Sequence, residues 1–358
     1  MTAVYIYGIT RNLGLASFGR LGLPTGSEEV EVIPQGGIAA VVSSFSGPHP
    51  KDLPRRELLN QLALHQRVLE RVMEEHFVLP VKFGTVLDNR AEVLKVLRCG
   101  APRLEQAINR FDGTVQFEVA ATWELGPVFA GIASDAEIAS LREAVGRMPQ
   151  NESLSLLHTI GILVKESLDK RRNAVRAELT SLLGEYAEAC LPNALMGDEM
   201  VMNDAFLVTR SAQEGFLLRL HSADGHFQGK LNLRCIGPLP PYSFGTVEVL
   251  RPAKEEIDAA AVLLGLGREF SAPAVQKAYR ARAAQLHPDV NRSPEAVDAF
   301  GRLRTAEALL IACCQAGAEN RELPADGNGA FRRDQAAGNY LVAVKSSDWR
   351  SEELQPVK

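Results

Sequence analysis

The chain has 358 residues, 46% of them hydrophobic, and a formal net charge of −5. At roughly 150 residues per domain, that length provides for two or three domains with ordinary apolar cores. The acidic balance argues against a general nucleic-acid binder, and no apolar run approaches the ~18 residues that span a membrane.

The first block covers residues 1–112. Val4 to Gly8 is β-rich and ends at a glycine, so it predicts a strand. Residues 1–9 also lack the charged start and long apolar run of a signal peptide. Gly14 to Gly26 is glycine-rich but has neither phosphate-loop spacing nor a basic partner. Glu29 to Ile33 alternates charged and apolar residues, Gln35-Gly36-Gly37 is a turn, and Ile38 to Ser43 is apolar throughout. Together they predict a hairpin. Asp52 to His76 is helical, with Leu58, Leu62, His65, Leu69, Val72 and His76 at spacings of three and four. Phe77 to Leu87 reads as a strand, at an edge or with a bulge because of Pro80. Asn89 to Arg110 reads as a second helix capped at Asp88 or Asn89.

The second block covers residues 113–250. Thr114 to Trp123 predicts a strand, and Ser134 to Arg147 a helix capped at Ser134. Glu152 to Cys190 predicts a long helix of roughly 57 Å at 1.5 Å per residue. Its Lys165-Glu166 and Asp169-Lys170-Arg171-Arg172 segments read as a solvated charged face. Strand, helix and strand follow at Met200 to Thr209, Ser211 to Ser222 and Gln228 to Ile236. That order resembles part of a ferredoxin-like fold. Gly237 to Phe244 is extended, because its prolines block helix and central strand alike.

The third block begins near Pro252. Gln276 to Leu286 is a basic helical segment, and Pro294 to about Ala316 is a second helix. His287-Pro288-Asp289 and the polar turn Val290 to Ser293 lie between them. Proline restricts its own φ and biases His287 away from helix. The tripeptide is therefore either a stiff turn presenting an imidazole and a carboxylate, or a plain helix terminator. Residues 318–358 are rich in Gly, Asn and charge and read as a flexible tail, with a brief apolar island from Tyr340 to Val344. The five cysteines include no Cys-x-x-Cys pair and fit free thiols in a reducing cytoplasm, with Cys313 and Cys314 as packing residues of an apolar helix.

Residues ~257–317 resemble a J-domain, the module through which J-proteins address Hsp70 chaperones. Gln276 to Asn291 carries the lysine, the tyrosine-led helix and the His-Pro-Asp loop. Leu263-Leu264-Gly265-Leu266 matches the first-helix signature, and Phe300, Leu303, Ala306, Ala308 and Leu309 match the apolar positions of the last helix. The resemblance implies that His287, Pro288 and Asp289 contact the Hsp70 ATPase domain and its linker, and that Lys277 and Arg280 belong to a basic face meeting an acidic Hsp70 surface. Charge pairs of that kind mainly steer and orient encounter. The sequence departs from the pattern at Arg282, where an apolar core residue is usual, at Gln285, where a lysine is usual, and after Ala316, where a basic fourth helix is missing.

The first 250 residues resemble the gas vesicle protein F/L family. Val4-Tyr5-Ile6-Tyr7-Gly8-Ile9 opens the chain, Leu79 to Val86 lies in its middle, and Gly237-Pro238-Leu239-Pro240-Pro241-Tyr242-Ser243-Phe244 closes the second block. The resemblance implies a non-enzymatic accessory protein of gas vesicle formation that binds the small apolar shell protein and other accessory proteins. It also implies two α+β domains, the second ferredoxin-like. Location at the gas vesicle or in the cytoplasm follows, with neither nucleic acid nor membrane as partner.

The expected fold class is thus α+β: domains at 1–112 and 113–250, J-domain-like helices at 251–317, and the tail at 318–358. Pro240, Pro241 and Tyr242 form either a partner-docking surface or a rigid strap over the core. Tyr5 and Tyr7 share a strand face and read as packing, and Lys82 as an edge-strand charge. His221, Asp224 and His226 fit a polar hairpin tip or a metal site. No His-Glu-x-x-His, phosphate loop or nucleophile elbow is present, so neither enzyme activity nor a cofactor is expected. The competing readings are a general J-domain co-chaperone whose N-terminal region selects unrelated clients, and a ligand binder or enzyme on a ferredoxin-like scaffold.

Overall fold

A computed structural model describes residues 2–149, 153–286, 294–319, 331–333 and 340–345. The fold is α+β. The chain divides into two compact units, one made of residues 1–112 with 244–346 and the other of residues 113–243, the far C-terminal residues aside.

Unit 1 begins with four strands, β1 (Ala3–Arg11), β2 (Ser17–Gly22), β3 (Glu28–Gln35) and β4 (Ile38–Phe45). They pair antiparallel in the order β2-β3-β4-β1. The β3–β4 hairpin closes at Gln35↔Ile38, and Gly36 takes the left-handed φ of 61° that a tight turn needs. β2 arises from the glycine-rich stretch that carried no strand signal. Helix α1 (Arg55–Met73) buries His65, Val68, Leu69 and Val72. Helix α2 (Arg90–Phe111) is capped by Asn89, whose Oδ1 accepts from the Glu92 N–H at 3.1 Å. The single strand expected over Phe77 to Leu87 is two short ones, β5 (Leu79–Pro80) and β6 (Val86–Leu87), both on β1. A turn through Gly84, at φ 87°, separates them.

Unit 2 holds β7 (Thr114–Trp123), α3 (Leu125–Ala133), α4 (Ala136–Gly146), α5 (Leu154–Gly184), β8 (Ala189–Pro192), β9 (Met200–Thr209), α6 (Gln213–His226) and β10 (Leu231–Leu239). The sheet order is β10-β7-β9-β8 with every neighbour antiparallel. In chain order that is 4-1-3-2, the split βαβ arrangement of a ferredoxin-like fold. Phe117 and Phe216 stack in its core with ring centroids 5.1 Å apart.

The long helix is shorter than expected. It has 31 residues and ends at Gly184, and residues 189–192 leave it to pair with β9 as an edge strand. Glu152, its expected start, lies outside the described residues. The helix expected from Ser134 is also preceded by another, α3. Ser134 closes α3 by donating to the Ala130 carbonyl at 3.0 Å, and extended Asp135 starts α4.

The rest of unit 1 is β11 (Thr246–Leu250), α7 (Lys254–Leu264), β12 (Glu269–Phe270), α8 (Ala272–Leu286), α9 (Pro294–Glu319), β13 (Phe331–Arg332) and β14 (Leu341–Lys345). The three helices share a core of Ile257, Ala261, Leu264, Val275, Leu303, Leu310 and Cys313. Phe331 and Leu341, from the segment expected as a tail, are buried in that same core. β14 pairs with β11, and β13 with β12.

Candidate partner-binding surfaces

Helix α7 ends in a left-handed cap. Gly265 has φ 71°, and the Leu266 N–H reaches back to the Ala261 carbonyl at 2.8 Å, so the last turn is satisfied. Helix α8 then turns Val275 fully inward and leaves Lys277 and Arg280, three residues apart on one face, exposed. Arg282, unusual for an apolar core position, is exposed as well. Its guanidinium lies against Gly265, where a Cβ would stand 2.9 Å from Nη2. A cation at the C-terminal end of α7 complements the helix dipole, which reconciles this arginine with a helical core. His287, Pro288 and Asp289 lie outside the described residues, as does the turn that follows them.

The proline segment closes unit 2. Pro240 and Pro241 are buried, and Tyr242 is half-buried. Fully buried Gln116 anchors the segment: its Oε1 accepts from the Ser243 N–H at 2.8 Å, and its Nε2 donates to Ser243 Oγ at 3.1 Å. Gly237 has φ 149°, and a Cβ there would stand 2.8 Å from the Gln116 carbonyl oxygen. The segment passes close over β7, and a glycine is needed at that crossing.

The other singled-out residues separate. His221 and Asp224 line an open cleft of about 420 Å³ with Leu217, Leu220, Leu231 and Cys235, whereas His226 contacts Glu178. Among the described residues, no group of three His, Cys, Asp or Glu could hold a metal ion. Lys82 is exposed and pairs with Glu248 at 3.0 Å. Tyr5 and Tyr7 are fully buried. The Tyr7 hydroxyl accepts from the Leu23 N–H at 2.6 Å and bonds Ser43 Oγ at 2.8 Å, and burial pushes its pKa up to about 12.

Two buried polar centres carried no sequence signal. His65 lies 3.0 Å from the Tyr5 hydroxyl through Nδ1, and burial pushes its pKa down to about 3. Tyr5 in turn accepts from the Gly84 N–H at 2.9 Å, so its hydroxyl links a main-chain donor to the His65 imidazole. In unit 2 the expected solvated face of α5 turns partly inward. Arg171 pairs with Asp135 at 2.7 Å, buried Arg172 with Asp169 at 2.7 Å and Asp198 at 3.3 Å, and Arg176 with buried Asp204 at 3.0 Å. Desolvation raises the Asp204 carboxyl above its usual range, with Arg176 opposing. An amphipathic reading cannot separate an inward arginine from a solvated one, because Asp135, Asp198 and Asp204 come from distant parts of the chain and only Asp169 lies on α5 itself.

Among the described residues, no helix is long and apolar enough to cross a membrane. The family model for gas vesicle synthesis protein GvpL/GvpF matches residues 3–246, and the DnaJ domain model matches residues 262–312. Gas vesicle protein F of Streptomyces sp. is 28% identical over 250 residues, covering 68% of this chain and 99% of its own length. Gas vesicle protein L of the same organism is 25% identical over 258 residues, covering 68% and 92%. A chaperone protein DnaJ of Parasynechococcus marenigrum is 42% identical over 48 residues, 13% of each chain. Crystal structures of the gas vesicle protein GvpF from Anabaena sp. and Microcystis aeruginosa align over 68% of this chain, with TM-scores of 0.57 and 0.53 at 22% and 20% identity. They cover 95% and 98% of those chains and share the fold.

Proposed function

We infer, from a chain that belongs to the gas vesicle GvpL/GvpF family and carries a DnaJ domain, that it is an assembly factor for gas vesicles. It binds the apolar shell protein and other accessory proteins, at the vesicle or in the cytoplasm. Through its J-like helices it brings Hsp70 to shell subunits before they aggregate. The observation that carries this reading is the joining of both matches in one chain, with Lys277 and Arg280 exposed on α8. Exposed cations on a packed helix suit an encounter with an acidic partner, because they steer association without being desolvated first. In the same reading His287, Pro288 and Asp289 engage Hsp70, and Tyr242, the least buried of the three proline-segment residues, is the part of that segment a partner reaches.

Two measurements test the two halves separately. Immobilised full-length protein, offered shell protein and a panel of unrelated apolar clients, should retain the shell protein selectively. Equal retention of all clients would instead support a general co-chaperone. Steady-state ATP hydrolysis by Hsp70 should rise when the protein is added. It should stay at the basal rate with His287→Gln, and should lose its salt sensitivity with Lys277→Ala/Arg280→Ala. No stimulation by the unaltered chain would remove Hsp70 from the reading and leave the shell-protein half to its own test.

A further inference from the structure

The GvpL/GvpF match ends at residue 246 and the DnaJ match at residue 312, so β14 belongs to neither. It is nonetheless closely fitted to the N-terminal part of unit 1. β14 pairs with β11 along its whole length, from Thr246↔Lys345 to Leu250↔Leu341. β11 is itself bridged to that part, Val81↔Val247, and its Val247 carbonyl accepts from the Lys82 N–H at 2.8 Å.

Helix α2 supplies the second wall. Arg103 Nη1 donates to the Val342 carbonyl at 3.0 Å. At Gly100 a Cβ would stand 2.8 Å from Val342 Cγ1 and 2.9 Å from its Cβ, so α2 is notched where the strand crosses. Tyr340, only 2% exposed, closes the end. Its ring faces Lys95 Nζ at 5.8 Å and the Arg251 guanidinium at 5.5 Å, within cation–π range. Its hydroxyl is hydrogen-bonded to Glu92.

A strand edge, a glycine notch, an arginine on a main-chain carbonyl and a cationic clamp on an aromatic ring together form a socket for a short apolar strand. Addition of an extended segment to a free sheet edge is a general recognition mode, with main-chain bonds for affinity and side-chain pockets for specificity. We propose that residues 340–345 are an intramolecular latch: seated in this socket, the strand locks the J-like helices α7–α9 onto the N-terminal part of unit 1, and its withdrawal frees them to reorient. A five-residue strand that is paired along one edge only can open locally without unfolding its acceptor, because local openings span free energies from near zero up to the global value. The proposal requires no assignment of a client or of Hsp70.

Hydrogen exchange on the full chain tests it. Gly100→Ala places a methyl in the notch, and the amides of 341–345 should then exchange about tenfold faster or more, the effect of modest overpacking on a local opening. The amides of β1 and β4 should keep their protection. In a Val342→Gly background, where the colliding side chain is gone, adding Gly100→Ala should produce no further acceleration. Tyr340→Ala should also speed exchange of the strand. Unchanged exchange at 341–345 in Gly100→Ala would overturn the latch, since the notch would not be gripping the strand. Equal loss of protection in β1 and β4 would overturn it too, because the strand would then be an inseparable part of the domain core. An acceleration as large in the Val342→Gly background would show that Gly100 acts through α2 alone.

Discussion

Burial sets the ionisation of His65, and the consequence is measurable. The folded protein holds its pKa near 3, against about 6.5 in an unfolded chain. Between those values the unfolded state binds a proton that the folded state does not. Stability therefore falls as pH drops from about 6.5 towards 3, by about 1.4 kcal/mol per pH unit from this group. His65→Gln cannot titrate and retains a side-chain acceptor for Tyr5. Its urea midpoint should stay level between pH 6.5 and 5.5 where the parent's declines, and parallel declines in the two proteins would rule out His65 as the source. Asp204 offers a second test at this scale. Asp204→Asn keeps the shape but leaves Arg176 facing an amide, and should cost about 1.5–3 kcal/mol by denaturant unfolding, the range for hydrogen bonds to charged groups. Neither centre was legible in the sequence. His65 lies on an apolar helix face, but its partner Tyr5 comes from β1, and Arg176 finds Asp204 on β9.

Local pattern predicts elements well where one periodicity persists. Spacings of three and four foretold α1, and the Gln35-Gly36-Gly37 turn foretold the β3–β4 hairpin. It failed where the chain changes state without a proline at the change. α5 stops at Gly184 and residues 189–192 become an edge strand, because β9 offers them a ladder that no local signal announces. Helix α9 illustrates a correct reading. Cys313 and Cys314 sit in the helical core, and burial pushes both thiols up to about 12. Only the thiolate alkylates, so a short iodoacetamide pulse at pH 8 should leave both unlabelled in the native protein and label them in urea. Native labelling at either site, read by mass spectrometry, would contradict the packing described for α9.

At the scale of the whole molecule, the J-like helices are completed from outside the segment that resembles a J-domain. Phe331 and Leu341 enter their core although the DnaJ match ends at residue 312. Phe331→Ala should therefore lower stability by about 3–5 kcal/mol, the cost of emptying a buried aromatic site. An unaltered thermal midpoint would mean that α7–α9 stand without that segment. The sequence alone determined the α+β class, part of the ferredoxin-like order of the second unit and the J-like segment, because each rests on local periodicity or on motifs read along the chain. The edge strand β8, which completes that order, came only with the structure. Only the tertiary structure decided which strand the Tyr340 island meets, which arginines of α5 turn inward, and that His65 is enclosed. Those outcomes depend on contacts between residues far apart in the chain, where burial and backbone pairing select among partners that look equivalent in sequence.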